Sequence, residues 1–259
     1  MTETNIREIL NEIAQGRLSV SEGMARLRHL PFADLGFAKI DLHRKIRRGV
    51  PEVVFGERKT ADQIAAIGRG VIKAGQNLIV TRLDPAKARV LARKLKSFQY
   101  RAEARIGLIR THPQLPVGHG TVMVLSAGTS DIPVAEEAAV CAEMFGNRVS
   151  RLYDVGVAGL HRLTDSLEQI AAASVLIVAA GMEGSLPSVV AGLIDKPVIA
   201  VPTSVGYGVA MGGIAPLLGM LNACSGGVVV VNIDNGFGAA MAATLINRVG
   251  LDRSASDGG

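Results

Sequence analysis

Thr121–Gly146 reads TVMVLSAGTSDIPVAEEAAVCAEMFG, and this stretch decides the fold. Thr121 to Leu125 is an apolar, β-branched run too short for a helix, which predicts a buried strand. SAGTSD supplies the small and polar residues of a turn, and Ile132–Phe145 carries a helix closed by Gly146. The same succession recurs downstream. Strands are expected at Arg148–Val155, Val175–Ala179 (VLIVA), Val198–Val201 (VIAV) and Val228–Ile233 (VVVVNI). Helices are expected near Asp165–Ala173, Leu186–Ile194, Ile214–Ala223 and Gly238–Arg248. Five nearly continuous apolar strands alternating with helices require a parallel sheet covered on both faces, an α/β fold in three layers.

Upstream of that stretch the composition changes. Of the 259 residues, those to Gly118 include 22 basic and 11 acidic side chains, and those from His119 onward 6 and 12. Gly runs the other way, with 10 before the divide and 20 after it. The asymmetry predicts two domains: a small basic helical or α/β domain over 1–115, a larger one over 119–250, and a loose tail over 251–259. Pro113, Pro116 and Gly118 mark the linker.

In the first domain two short helices open the chain. Ser19 and Glu22 form a capping box ahead of Met24, Leu27 and Leu30, and Pro31 ends that segment. RRGVPEVVFGE (Arg47–Glu57) suits a strand. Thr60 and Gln63 open a helix running to Ala74, with Gly75 after it. Leu78–Thr81 is a strand, Asp84-Pro85 caps a basic helix ending near Lys96, and Tyr100–Ile109 is a further strand.

Composition also excludes several classes. With 48% hydrophobic and 20% charged residues the chain is not disordered. No segment offers the roughly 18 to 20 uninterrupted apolar residues of a membrane span. The polar start MTETNIREIL lacks a signal-peptide pattern, so a cytoplasmic protein with no membrane partner is expected. Cys141 and Cys224 are too few for a disulfide framework or a four-cysteine zinc site. The basic residues are spread between a cluster (Arg44, Lys45, Arg47, Arg48) and a helix (Arg89, Arg93, Lys94, Lys96). Six Phe and three Tyr are too few for a stacking platform. The expected partner is a small phosphorylated molecule, not nucleic acid.

In an open parallel sheet, ligands bind at the carboxyl ends of the strands. There the sequence places SAGTSD, DVGVAGLHR, AAGMEGSLP, PTSVGYGVAMGG and NIDNG, loops rich in backbone N–H groups that suit a phosphate. Neither a Walker motif nor GxGxxG is present. Ser126, Gly128, Thr129, Ser130 and Asp131 are candidates for phosphate contact, with Asp131 alternatively a helix N-cap. Asp154, His161 and Arg162 form a second group; the His-Arg pair is read as a loop pair for phosphate or carboxylate, or as plain surface. Gly181, Met182, Gly184 and Ser185 frame Glu183, a carboxylate between two glycines whose helix has its own cap in Ser185. That is an odd choice for structure and suits a base or metal contact. Cys141 lies mid-helix and reads as core. Cys224, in LNACSGGVVVV, stays open between a small buried residue and a thiol presented by its Ser-Gly-Gly turn.

GTSDIPVAEEA, GMEGSLPSVVAG, KPVIAVPTSVGYG and NIDNGFGAA, with RRGVPEVVFGERKT upstream, resemble the LarB family of pyridinium-3,5-biscarboxylic acid mononucleotide synthases. The C-terminal domain of that family is similar to the PurE-type carboxylases, a flavodoxin-like arrangement. The resemblance spans about Ile6 to Arg248. It implies carboxylation of nicotinic acid adenine dinucleotide by CO2 or bicarbonate and hydrolysis of its phosphoanhydride with release of AMP, the first step of nickel-pincer nucleotide cofactor synthesis. It further implies Cys224 as covalent catalyst, Glu183 as essential acid, and a homo-oligomer, an octamer. No tightly bound cofactor is implied; Mg²⁺ would enter through the substrate phosphates, with Asp131, Asp154 and Asp234 open as activators of water. Purine carboxylases carry a compact Ser-Ala-His-Arg run after their second strand, whereas YDVGVAGLHRL stands here. An aminoimidazole ribonucleotide carboxylase or mutase is therefore the second reading, and a nucleotide-binding regulatory module without chemistry the third.

Overall fold

The computed structural model describes residues 3–28, 33–41, 44 and 48–251. Leu30, Pro31, Lys45, Arg47 and the tail after Leu251 lie outside the described residues. The contacts divide the chain between Pro113 and Gln114 into two compact units.

The first unit opens with helices α1 (Glu3–Ala14) and α2 (Val20–Arg28) and a small hairpin of β1 (Ala33–Asp34) and β2 (Lys39–Ile40), which the sequence did not announce. Ser19 Oγ accepts from the Glu22 amide at 3.2 Å while the Glu22 carboxylate accepts from the Ser19 amide at 3.1 Å, the expected capping box. Then follow β3 (Val53–Phe55), α3 (Ala61–Lys73), β4 (Leu78–Thr81), α4 (Pro85–Lys94), β5 (Gln99–Arg101) and β6 (Ile106–Ile109). Thr60 and Gln63 cap α3 reciprocally, and Asp84 accepts from the Lys87 amide at 2.8 Å to start α4. The strands order β3-β4-β6-β5, with β3 and β4 parallel and the rest antiparallel. Ile64, Val71, Leu78, Val80, Leu83 and Leu91 fill the core beneath the helices. The single strand expected over Tyr100–Ile109 is instead a hairpin. It turns through a left-handed Arg105 (φ 52°), whose carbonyl accepts from the Leu83 amide at 2.7 Å.

The second unit contains β7 (Thr121–Ser126), α5 (Ile132–Met144), β8 (Arg148–Leu152), α6 (Leu160–Thr164), α7 (Leu167–Ala171), β9 (Val175–Ala180) and α8 (Leu186–Leu193). β10 (Val198–Pro202), α9 (Ile214–Leu221), β11 (Val228–Val230) and α10 (Gly236–Ile246) complete it. All five strands are parallel in the order β11-β10-β9-β7-β8. Counted along the unit this is 2-1-3-4-5, the flavodoxin-like order. Alternate residues of β7 enter opposite layers: Met123 and Leu125 join one core with Leu176, Val178 and Leu186, while Val122 and Val124 join another with Ala135, Ala139 and Ala239. At the amino edge Asn147 donates to Thr244 Oγ1 at 2.8 Å and Asn247 donates to Asn147 at 3.1 Å. Asn247 also bonds Gly120 in both directions, pinning the entry to β7.

Three expected boundaries move. β8 stops at Leu152 and β11 at Val230, where the chain turns toward the carboxyl-edge loops. The helix expected over 165–173 is the shorter α7. DVGVAGLHR is not an open loop: a 3₁₀ turn at Val157–Gly159 leads directly into α6, which carries His161 and Arg162.

Candidate functional site

β7 and β9 are sheet neighbours, and from them the chain order diverges toward β8 on one side and β10 on the other. This is the switch point at which an α/β sheet opens a crevice. The loops after β7 and β9 flank it. Ser126 is buried and its Oγ accepts from the Asp154 amide at 3.1 Å, joining the β7 and β8 loops. Gly156 passes so close to Ala127 that a Cβ there would lie 2.6 Å from the Ala127 carbonyl. Thr129 and Ser130 are exposed in a 3₁₀ turn that continues into α5.

Asp131 is buried behind that turn. Its carboxylate accepts from the Gly128 amide at 2.9 Å and from Thr203 Oγ1 at 2.6 Å. Burial raises its pKa above the ordinary aspartate value. The Thr203 hydroxyl and the Gly128 and Gly181 amides oppose that rise, and nearby Asp234 adds to it. Asp131 thus knits the loops after β7, β9 and β10, and Asp234 in turn accepts from the Ser204 amide at 2.8 Å. Thr203, buried at the end of β10, was not singled out by the sequence; only its place in PTSVGYG pointed to it.

Gly181 approaches the next loop closely, a Cβ there falling 2.2 Å from the Val205 carbonyl. Met182 (φ 54°) and Gly184 (φ 69°) are left-handed and turn the chain around Glu183. Glu183 is exposed and accepts from Ser185 Oγ at 2.6 Å, so Ser185 restrains the carboxylate and makes no side-chain cap to α8. Asp154 (φ 59°) pairs with Arg162 at 2.5 Å, bringing α6 to the β8 loop, while His161 on the same helix is exposed.

Cys224 is not on the carboxyl edge. It is an exposed free thiol between α9 and β11, whereas Cys141 is buried in α5. Two contacts bring its segment to the start of α8. Ser225 Oγ donates to the Ser188 carbonyl at 2.7 Å, and Gly219 of α9 lies so near the Glu183 carbonyl that a Cβ would fall at 2.5 Å from it. Glu183 and the Cys224 turn are therefore both anchored to the first turns of α8. Among the described residues no three His, Cys, Asp or Glu side chains cluster to hold a metal ion.

Residues 32–111 match the family model described as LarB/PurE-like N-terminal domain, and residues 121–255 match that of AIR carboxylase. The chain belongs to the AIR carboxylase family. In this member a LarB/PurE-like N-terminal domain precedes the family domain, as the quoted motifs led us to expect. The chain is 40% identical over 253 residues to the uncharacterized protein MJ0165 of Methanocaldococcus jannaschii, covering 95% of this chain and 98% of that one. It is 35% identical over 129 residues to the N5-carboxyaminoimidazole ribonucleotide mutase of the same organism, covering 48% of this chain and 77% of the mutase. The solved structure of Treponema denticola PurE is similar at 24% identity and a TM-score of 0.41, over 48% of this chain and 78% of that one.

Proposed function

We propose that this member of the AIR carboxylase family carboxylates the pyridinium ring of nicotinic acid adenine dinucleotide and hydrolyses its phosphoanhydride. The products are pyridinium-3,5-biscarboxylic acid mononucleotide and AMP. A pyridinium ring is too electron-poor to attack CO2. The Cys224 thiolate adds to a ring carbon, and the displaced π pair neutralises the ring nitrogen to leave a dihydropyridine. Its C5, now enamine-like, forms the new bond to CO2. Glu183 takes the C5 proton, whose bonding pair returns to the ring, and the nitrogen lone pair then expels the thiolate and restores the pyridinium. In the second half-reaction water adds to a phosphorus of the diphosphate and AMP leaves.

The observation that supports this reading is that Glu183 and the turn holding Cys224 are both tied to α8, Glu183 through Ser185 at its start and the Cys224 turn through the Ser188 carbonyl. Thr129, Ser130 and the amides of their turn suit the diphosphate, and Mg²⁺ would arrive on its oxygens. Arg162, His161, Gly181, Met182, Gly184 and Ser185 complete the proposed contacts. Asp131 has both carboxylate oxygens engaged, so Asp154 and Asp234, each partly exposed, are the better candidates to activate water. The reading includes a cytoplasmic homo-oligomer, an octamer.

The similarity to the ribonucleotide mutase, over 48% of this chain, supports a second reading, an aminoimidazole ribonucleotide carboxylase or mutase. Incubating the chain with nicotinic acid adenine dinucleotide and ¹³C-bicarbonate separates the two. AMP and a labelled dicarboxylate product are expected. Turnover of the aminoimidazole ribonucleotide alone would reverse the substrate assignment, and tight binding without any turnover would leave a regulatory module.

A further inference from the structure

The family motif RRGVPEVVFGERKT ends in a loop that the proposed chemistry does not use. At the carboxyl ends of β3 and β4 three loops meet, 55–59, 81–84 and 101–105. The Gly56 amide donates to the Thr81 carbonyl at 2.9 Å, the Leu83 amide to the Arg105 carbonyl at 2.7 Å, and Tyr100 Oη to the Leu83 carbonyl at 2.8 Å. The three loops are therefore one bonded edge.

That edge is basic. Arg58, Arg101 and Arg105 are exposed, and none of the three forms an ion pair among the described residues. Lys59 and Arg82 lie beside them, Arg82 over the exposed Phe55 ring at 5.9 Å from its centroid. Three acids share the edge. Asp84 is committed to the α4 cap and to Lys87 at 3.3 Å, which leaves Glu57 and Glu103 beside Arg58, Lys59, Arg101 and Arg105. Arg82 (φ 49°) and Arg105 (φ 52°) are both left-handed, a conformation costly for a side chain of this kind. Like charges gathered on loops bonded to one another repel unless an anion joins them. Planar guanidinium groups beside an aromatic ring suit phosphoryl oxygens better than a point charge would.

We propose that the N-terminal unit carries its own site for the phosphoryl group of a small molecule, at this edge of its sheet and independent of the chemistry proposed for the second unit. The test is hydrogen–deuterium exchange on the full chain with inorganic pyrophosphate as probe. At about ten times the probe's Kd, exchange in 55–60, 81–87 and 101–106 slows about tenfold, as mass action requires. Arg58→Gln with Arg105→Asn, the latter chosen because Asn tolerates the left-handed backbone, removes the slowing. The Arg58→Lys, Arg105→Lys pair keeps part of it, and Cys224→Ala keeps all of it. Four results would overturn the proposal: no slowing in these segments, slowing that survives the neutral pair, equal slowing by potassium chloride of matched ionic strength, or slowing by a single-stranded oligonucleotide at lower concentration than pyrophosphate. The last would give the site to a polymer.

Discussion

Asp131 shows how one side chain can differ from its reading in the sequence. As part of SAGTSD it reads as a phosphate contact or a cap; in the fold it is a buried acceptor that holds three loops together. The sequence could not show this, because Thr203 lies 72 residues away and only the parallel pairing of β9 with β10 brings its loop alongside. The raised pKa has a consequence for stability. For an acid whose folded pKa lies above its unfolded value, stability is fully present below the unfolded pKa and is lost as pH rises through the folded one. Thermal melts of the native chain should therefore lose stability across the upper carboxylate range, and Asp131→Asn should remove that part of the slope; an unchanged slope would contradict the assignment. The two cysteines differ as sharply. Burial pushes the Cys141 thiol well up, with Glu137 adding to the rise, while Cys224 is exposed. Iodoacetamide should alkylate only Cys224 in the folded protein and both residues after denaturation, as peptide mass spectrometry would read.

At the scale of elements, the long apolar strands were legible because burial on both faces leaves nearly continuous hydrophobic runs, as at Val175–Ala180. Capping boxes at Ser19 and Thr60 were legible for a local reason, since both partners lie within one turn. What escaped were features set by distant contacts: the Arg105 turn, bonded back to Leu83, and α6, fixed by the Arg162–Asp154 pair. The same distinction governs the glycines. Gly181 read in sequence only as part of the frame around Glu183, and Gly219 was not singled out, yet each lets a backbone carbonyl approach to within a Cβ's reach. Gly219→Ala would wedge α9 off the Glu183 loop. It should cost about 1–3 kcal/mol in denaturant unfolding, as overpacking does, and lower turnover more than stability at assay temperature explains. A variant with native turnover would show that this approach does not position Glu183.

At the scale of the whole molecule, the charge division that separates the basic first unit from the Gly-rich second one follows the division of contacts between Pro113 and Gln114. The second unit exposes several large apolar side chains on and before α9. Tyr207, just ahead of the 3₁₀ turn before α9, and Val209 and Met211 within it are 82, 84 and 71% exposed, and Leu218 and Leu221 on α9 are 53 and 60%. Such a face suits the proposed assembly. Leu218→Asp should shift the chain toward smaller species in sedimentation velocity, and an unshifted profile would place the contact elsewhere. One paired measurement addresses the proposed covalent role of Cys224 in a carboxylation. Native chain and Cys224→Ala are incubated with nicotinic acid adenine dinucleotide and ¹³C-bicarbonate, and labelled product and AMP are quantified beside the intact-protein mass. The native chain should yield both products and a transient adduct on the cysteine. Cys224→Ala, folded by circular dichroism, should yield no carboxylated product; labelled product from that variant at the native rate would contradict the mechanism.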